Sequence, residues 1–258
     1  MLGPMNKRAI CIMALSLWAG PSLLWAGEFE SQFKALLTAH NSQGAIRGIE
    51  LSGMDYLALR RDERLGKAAQ ALAEYDLRTL TTEAERLSFW INAYNFLAVK
   101  LMADHWPVKS IKDLGSVFAP VWKKKVGRVG GAERTLDEIE TDILRKEFNE
   151  PRIHAAIVCA SVSCPDLRAE VFDAAQLDAQ LSDQVRVFLS NPKKGFSGAD
   201  GVVVSPIFKW FAEDFEKKHG SVIAFIKLYQ PTLKAESKLN YFDYDWGVNY
   251  LAKPKNDQ

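Results

Sequence analysis

Apolar positions recur at helical spacing from about Glu28 to His40, and again from about Ser52 or Met54 to Tyr75. Two amphipathic helices are predicted there, with a loop through Asn41–Gly48 between them. Thr82-Glu83-Ala84-Glu85 matches a capping box, in which the Thr and Glu side chains satisfy free N–H groups at a helix start. The helix it opens, to about Asp104, is apolar on nearly every side, from Leu87, Phe89 and Trp90 to Leu97 and Val99. A helix apolar all round is buried, so this one is expected at the centre. Short β-prone runs broken by glycines between Trp122 and Gly131 predict a hairpin. Thr135-Leu136-Asp137-Glu138 is a second capping box, predicting a helix to about Phe148. The apolar run Ile153–Ala160, after Pro151, reads as a strand buried on both faces. A helix from about Asp173 to Leu189, a short strand at Val202–Val204 and helices at Trp210–Lys218 and Val222–Tyr229 follow. The aromatic segment Tyr241–Gly247 is expected to pack back onto the body. Runs of helices with few separated strands indicate an α+β fold, mostly helical, with a small β-sheet packed on a central buried helix.

Composition adds a leader to this picture. Lys7 and Arg8 precede an apolar stretch from Ala9 to about Leu24 and small residues at Ala26 and Gly27, the layout of a secretory signal peptide cut after Ala26. The stretch, broken by Gly20-Pro21, is short for a membrane span of about 20 residues. Leu24 is a less usual residue before such a cut, which leaves an uncleaved anchor as the alternative. The expected location is thus exported, periplasmic or secreted, with no membrane attachment after cleavage. Residues 1–26 hold two basic and no acidic side chains, so their removal takes the formal charge from +1 to −1. A near-neutral chain argues against nucleic acid, which needs a concentrated positive surface. Lys123-Lys124-Lys125 with Arg128 reads as the solvated side of the hairpin. The chain divides into the leader 1–26, an N-terminal helical extension 27–80, a main domain 81–250 and a tail 251–258.

The candidate chemistry gathers at one place. His154, Cys159 and Cys164 fall within eleven residues. On a regular strand His154 and Cys159 would face opposite sides about 16 Å apart, so any catalytic partner must come from elsewhere in the fold. The two cysteines could be a reactive thiol or redox pair, a structural disulfide, or inert buried thiols. Ser88, Asn92 and Asn95 form one polar stripe on the central helix, which either hydrogen-bonds neighbouring backbone or lines a site. Four dispersed histidines and two mature cysteines give no zinc spacing, and no phosphate-binding glycine loop is present. Neither metal nor cofactor is expected.

Several motifs resemble the "domain of unknown function 547" family. They are Phe89-Trp90-Ile91-Asn92-Ala93-Tyr94-Asn95 and His105-Trp106-Pro107, then Leu136-Asp137-Glu138-Ile139-Glu140 with Leu144-Arg145. Arg152-Ile153-His154, Cys159-Ala160-x-x-Ser163-Cys164-Pro165, Ser205–Phe211 with Asp214-Phe215, and Tyr244-Asp245-Trp246 complete the set, in order over roughly residues 80–250. That family usually carries Asn-Cys-Gly where this chain has Val158-Cys159-Ala160, and the position of Cys164 is Ser in some members. The resemblance implies no settled activity. A looser analogy is to papain-like and transglutaminase-like enzymes, whose central helix packs on a sheet that supplies the His, although their nucleophilic Cys lies at the helix N-terminus. The expected function is a thiol-dependent hydrolase or acyl transferase acting on a peptide-like or thiol-containing small substrate. Cys159 would be the nucleophile, His154 or His105 the base and Asn92 the orienter, with Arg152, Asn95, Ser88 and Ser163 contacting substrate. The alternatives are a non-catalytic pocket for a small molecule or peptide, and a purely structural role for the motifs.

Overall fold

The computed structural model describes residues 27–198 and 201–253, so the expected leader and residues 254–258 of the tail lie outside the described residues. The elements in chain order are α1 (Glu28–His40), β1 (Asn41–Ile46), β2 (Ile49–Met54), α2 (Tyr56–Leu59), α3 (Glu63–Ala73) and α4 (Glu83–Asp104). The hairpin β3 (Lys125–Val129) and β4 (Ala132–Thr135) leads into a π-helix (Glu138–Leu144), and α5 (Ile153–Ala156) and α6 (Leu177–Ser190) follow. β5 (Phe196–Ser197), β6 (Val202–Val204), α7 (Ile207–Trp210), α8 (Ala212–His219), α9 (Val222–Lys227) and β7 (Leu239–Tyr241) complete the chain. About 48% is helical and 14% strand, so the fold is α+β and mostly helical. The strands form three small sheets, not one: β1-β2, β3-β4 and β5-β6-β7, in which only the β6–β7 pair is parallel.

α4 is the central helix its sequence predicts. Thr82 Oγ1 accepts from the Glu85 N–H at 3.2 Å while the Glu85 carboxylate accepts from the Thr82 N–H at 2.8 Å. Its apolar faces are buried on all sides, and α1 packs across one of them through Phe29 and Phe33, whose rings meet Phe96 edge-on at 5.5 Å. Residues 27–80 therefore share the core of α4. A second core gathers Phe188, Phe208, Phe215 and Phe225 where α6 to α9 meet.

Two expectations are corrected. The predicted loop 41–48 and the start of the helix after it are the hairpin β1-β2, turned by Arg47 and Gly48, both at positive φ. Such a two-residue turn matches the twist of the flanking strands; β1 is half-exposed and polar, and β2 is buried at four successive positions, so neither shows a clear alternation. The predicted strand Ile153–Ala160 is instead the helical turn α5 followed by extended chain from Ile157. A short apolar run does not distinguish a buried strand from a buried helix. Here Pro151 presets the helical φ, and the Glu150 carboxylate accepts from the Arg152 N–H. His154 thus rides on a helix, and the papain-like arrangement of a strand-borne His is not confirmed.

Candidate functional site

The change from strand to helix matters for chemistry, because a helix advances about 1.5 Å per residue against about 3.3 Å for a strand. His154 and Cys159, too far apart on a strand, both open onto one cleft of about 250 Å³. Cys164, Glu140, Tyr94 and Tyr244 also line it, and Trp122, Trp210, Phe211 and Trp246 form its aromatic side.

Two side-chain clamps fix the sulfur-bearing loop. The Asn95 amide donates to the Ala156 carbonyl and accepts from the Val158 N–H, both at 2.9 Å, which locks the residues just before Cys159 to α4. On the other flank, residues 245–249 run along residues 160–163, with backbone bonds from Val162 to Gly247 and from Asn249 to Ala160. Ser163 Oγ accepts from the Asp245 N–H at 2.9 Å. Between the clamps Ala160 turns the chain at φ 59°, a left-handed conformation that suits glycine and strains an L-residue.

The turn brings Cys159 Sγ and Cys164 Sγ to 2.7 Å, beyond the about 2.05 Å of an S–S bond, and both are free thiols. Cys164 Sγ also accepts from the Cys159 N–H at 2.9 Å. Cys159 Sγ lies 3.0 Å from Ser161 Oγ and 3.4 Å from the Tyr244 hydroxyl. Burial pushes both thiols up, but for Cys164 the donors around it outweigh burial and bring it down to about 6. Cys159 is driven well above the usual thiol range by burial and by the neighbouring Cys164. The pair therefore gives up its first proton readily and holds its second.

His154, 3% exposed, is stacked on Phe211 at 4.0 Å between ring centres. Its Nε2 lies 2.7 Å from Asp214 Oδ2, and Arg145 clamps the same carboxylate through Nε at 2.6 Å and Nη2 at 3.1 Å. Burial of Asp214 is outweighed by these two partners, which hold its carboxyl well below the usual range. An ionised carboxylate only accepts, so Nε2 carries the proton and donates. Burial lowers the His154 pKa against the pull of Asp214, leaving a neutral ring whose Nδ1 keeps a free lone pair, with no hydrogen-bond partner among the described residues.

Glu140 comes from the π-helix, which Thr135 and Glu138 start by the predicted reciprocal caps. The register is shown by the Arg145 N–H reaching the Glu140 carbonyl, one residue further back than in an α-helix. Burial raises the Glu140 carboxyl to about 7, against the 3.2 Å hydrogen bond it accepts from the Tyr94 hydroxyl. Such π-turns occur frequently at functional sites.

The remaining predicted site residues are placed elsewhere. Asn92 clamps the Phe172 backbone through both amide atoms, at 2.8 and 2.9 Å, and does not line the cleft. Ser88 bonds the Glu85 carbonyl of its own helix. His105 is exposed at the end of α4, its Nδ1 against the Leu101 carbonyl, and is likewise absent from the cleft wall. Arg152 is taken up by Glu150, Asp178 and Ser182. The stripe on α4 is thus backbone clamping, and Asn92 and Arg152 have their polar groups engaged away from the cleft. Sequence reasoning missed Glu140, Asp214, Arg145 and the aromatic side. Their only signal was membership of family motifs, since no local spacing links them to Cys159.

Among the described residues no group of three or more His, Cys, Asp and Glu side chains has metal-binding geometry, and no helix is long and apolar enough to cross a membrane. No curated protein and no solved structure matches the chain. Trp210, Phe211, Asp214, Tyr244 and Trp246 complete the cleft from beyond residue 189, where the recognisable family segment ends. Residues 77–189 match the family model described as Protein of unknown function, DUF547.

Proposed function

We propose that the protein is a thiol-dependent acyl transferase or hydrolase acting on a peptide-like or thiol-containing small substrate. The observation that carries this reading is the opening of a proton-sharing cysteine pair and an Asp-oriented imidazole onto one cavity. Cys159, the more exposed of the two, is the nucleophile. As its sulfur bonds to the acyl carbon, its proton passes to the Cys164 thiolate 2.7 Å away, and the leaving group departs with a proton from the Glu140 carboxyl. His154 Nδ1 then takes a proton from the water or acceptor that cleaves the thioester. Asp214 holds the imidazole in the required tautomer. His154 does not touch either sulfur, so activation of the thiol is assigned to Cys164 and not to a Cys–His dyad.

Alkylation with iodoacetamide, followed by mass spectrometry across pH 5–9, tests this. The expected result is one cysteine modified faster than a model thiol at pH 7, with a midpoint near 6. Modification of both cysteines only above the ordinary thiol range of about 8.5 would sink the proposal. A redox role is the second reading, favoured by the 2.7 Å separation, since exchange with a partner disulfide, which takes up the two electrons and two protons as it becomes two thiols, would join the sulfurs. It predicts a disulfide that dithiothreitol opens reversibly. Export, on the pattern of residues 1–26, belongs to the same proposal, and the N-terminus of the protein secreted by its own host tests it.

A further inference from the structure

The walls of the cleft have a consistent electrical character. Asp137 and Glu140 bring carboxyl groups to it, and no Lys or Arg is among its lining residues. Arg145, the nearest guanidinium, is already paired with Asp214. An entering carboxylate or phosphate would therefore leave water to face two carboxyl groups. The aromatic side has the same preference. Trp210, Tyr244 and Trp246 pack with ring centres 4.5–5.8 Å apart and Trp122 lies 6.3 Å from Trp246, giving a continuous surface of π-faces. Two rings of this wall already hold protein cations: Lys112 Nζ lies 4.7 Å from the Trp246 ring centre, and the Arg145 guanidinium 5.1 Å from that of Phe211. Such faces attract cations by their quadrupole.

A third feature specifies the kind of cation. His154 is almost wholly buried, lines the cleft, and has an Nδ1 lone pair without a donor among the described residues. Glu140 receives only the Tyr94 hydroxyl. Two acceptors in an aromatic cleft call for a ligand with N–H donors. The volume, about 250 Å³, is just under the roughly 300–1,000 Å³ of pockets for drug-sized ligands, and so suits a head group.

We infer that the cleft binds a protonated organic amine, its N–H groups on Glu140 and His154 and its carbon skeleton on the tryptophan wall. This rests on the cleft being the functional site and makes the amine the group that leaves or accepts the acyl unit, exchanging its protons with Glu140 and His154, but it does not require the thiol chemistry.

Three probes with one ring and different charges test it: benzylammonium, benzyl alcohol and benzoate, titrated at pH 8 by tryptophan quenching and calorimetry. Benzylammonium should bind at least tenfold more tightly than benzyl alcohol, with benzoate weakest. Glu140→Gln, close in shape to the native residue, should cut the ammonium-to-alcohol ratio about tenfold. Benzoate binding as tightly as benzylammonium, a ratio unchanged in Glu140→Gln, or no binding of the ammonium probe would each overturn the inference. Binding is read at equilibrium without turnover. A negative alkylation result therefore leaves it standing, and a negative titration leaves the thiol reading to its own assay.

Discussion

Replacement of Asn95 by Ala tests whether the reactive loop is held by the central helix. The Asn95 side chain is 2% exposed and makes two bonds of 2.9 Å to buried backbone, one to the Ala156 carbonyl and one from the Val158 N–H. Truncation leaves a donor and an acceptor without partners, and each such buried group costs about 1–3 kcal/mol. The expected loss is therefore about 2–6 kcal/mol, against a total stability of about 5–15 kcal/mol for a typical domain. The variant should remain folded at 25 °C and show a lower urea midpoint by circular dichroism, with an unchanged slope. Because Val158 adjoins Cys159, alkylation of the same sample should also slow. Asn95→Asp sharpens the test. Its carboxylate still accepts from Val158 but opposes the Ala156 carbonyl, so its folded pKa rises above the unfolded value of about 3.9. Stability of that variant should fall as pH rises past that value. A loss below about 1 kcal/mol for Asn95→Ala, or an Asp variant as stable as the parent at pH 7, would refute the clamp.

Glu140, raised in the folded protein to about 7 from an ordinary 4.5, is ionised first in the unfolded chain. Stability should decline between those two pH values, and Glu140→Gln should flatten that part of the profile; an unchanged slope would contradict the burial of this carboxyl. Asp214, held below the usual carboxylate range, works in the opposite direction, its stabilisation present at neutral pH and lost on acidification. Asp214→Asn should cost about 1–3 kcal/mol and keep His154 neutral to a lower pH by NMR, whereas an unaltered His154 titration would show that the pair is not coupled. Cys164→Ser removes the thiolate that accepts the Cys159 proton, and alkylation of Cys159 at pH 7 should drop at least tenfold. An unchanged rate would assign the activation elsewhere.

The sequence made α4 and its cap legible because burial on all sides and a reciprocal Thr-Glu pair are local signals. The β3-β4 hairpin was legible for the same reason, through its glycines. The hairpin β1-β2 was not, because β1 is polar with no buried position and β2 is buried at four successive positions, so neither alternates. Ile153–Ala156 was misread because so short a run, three apolar residues and His154, fits either periodicity, and the decision lay with Pro151 and the Glu150 carboxylate beside it. At the site, the cysteines and His154 stood out by residue type. Asp214 lies 60 positions from His154 and Tyr244 85 positions from Cys159, so their convergence is tertiary and carries no sequence period.

The five-residue hydrogen-bond spacing around Glu140 has a bearing on how this protein tolerates changes in length. A π-turn holds one residue more than the α-turn it interrupts, so a single deletion between Glu138 and Leu144 could be absorbed by relaxing to ordinary winding, with both flanking segments undisturbed. The helix would survive with the side chains on either side keeping their faces, and only those inside the turn, Glu140 among them, would be re-aimed. Glu140 would then leave the cavity. A shortened homologue with a normal helix here would keep the architecture and lose its acid, a separation of folding from chemistry that one codon could bring about.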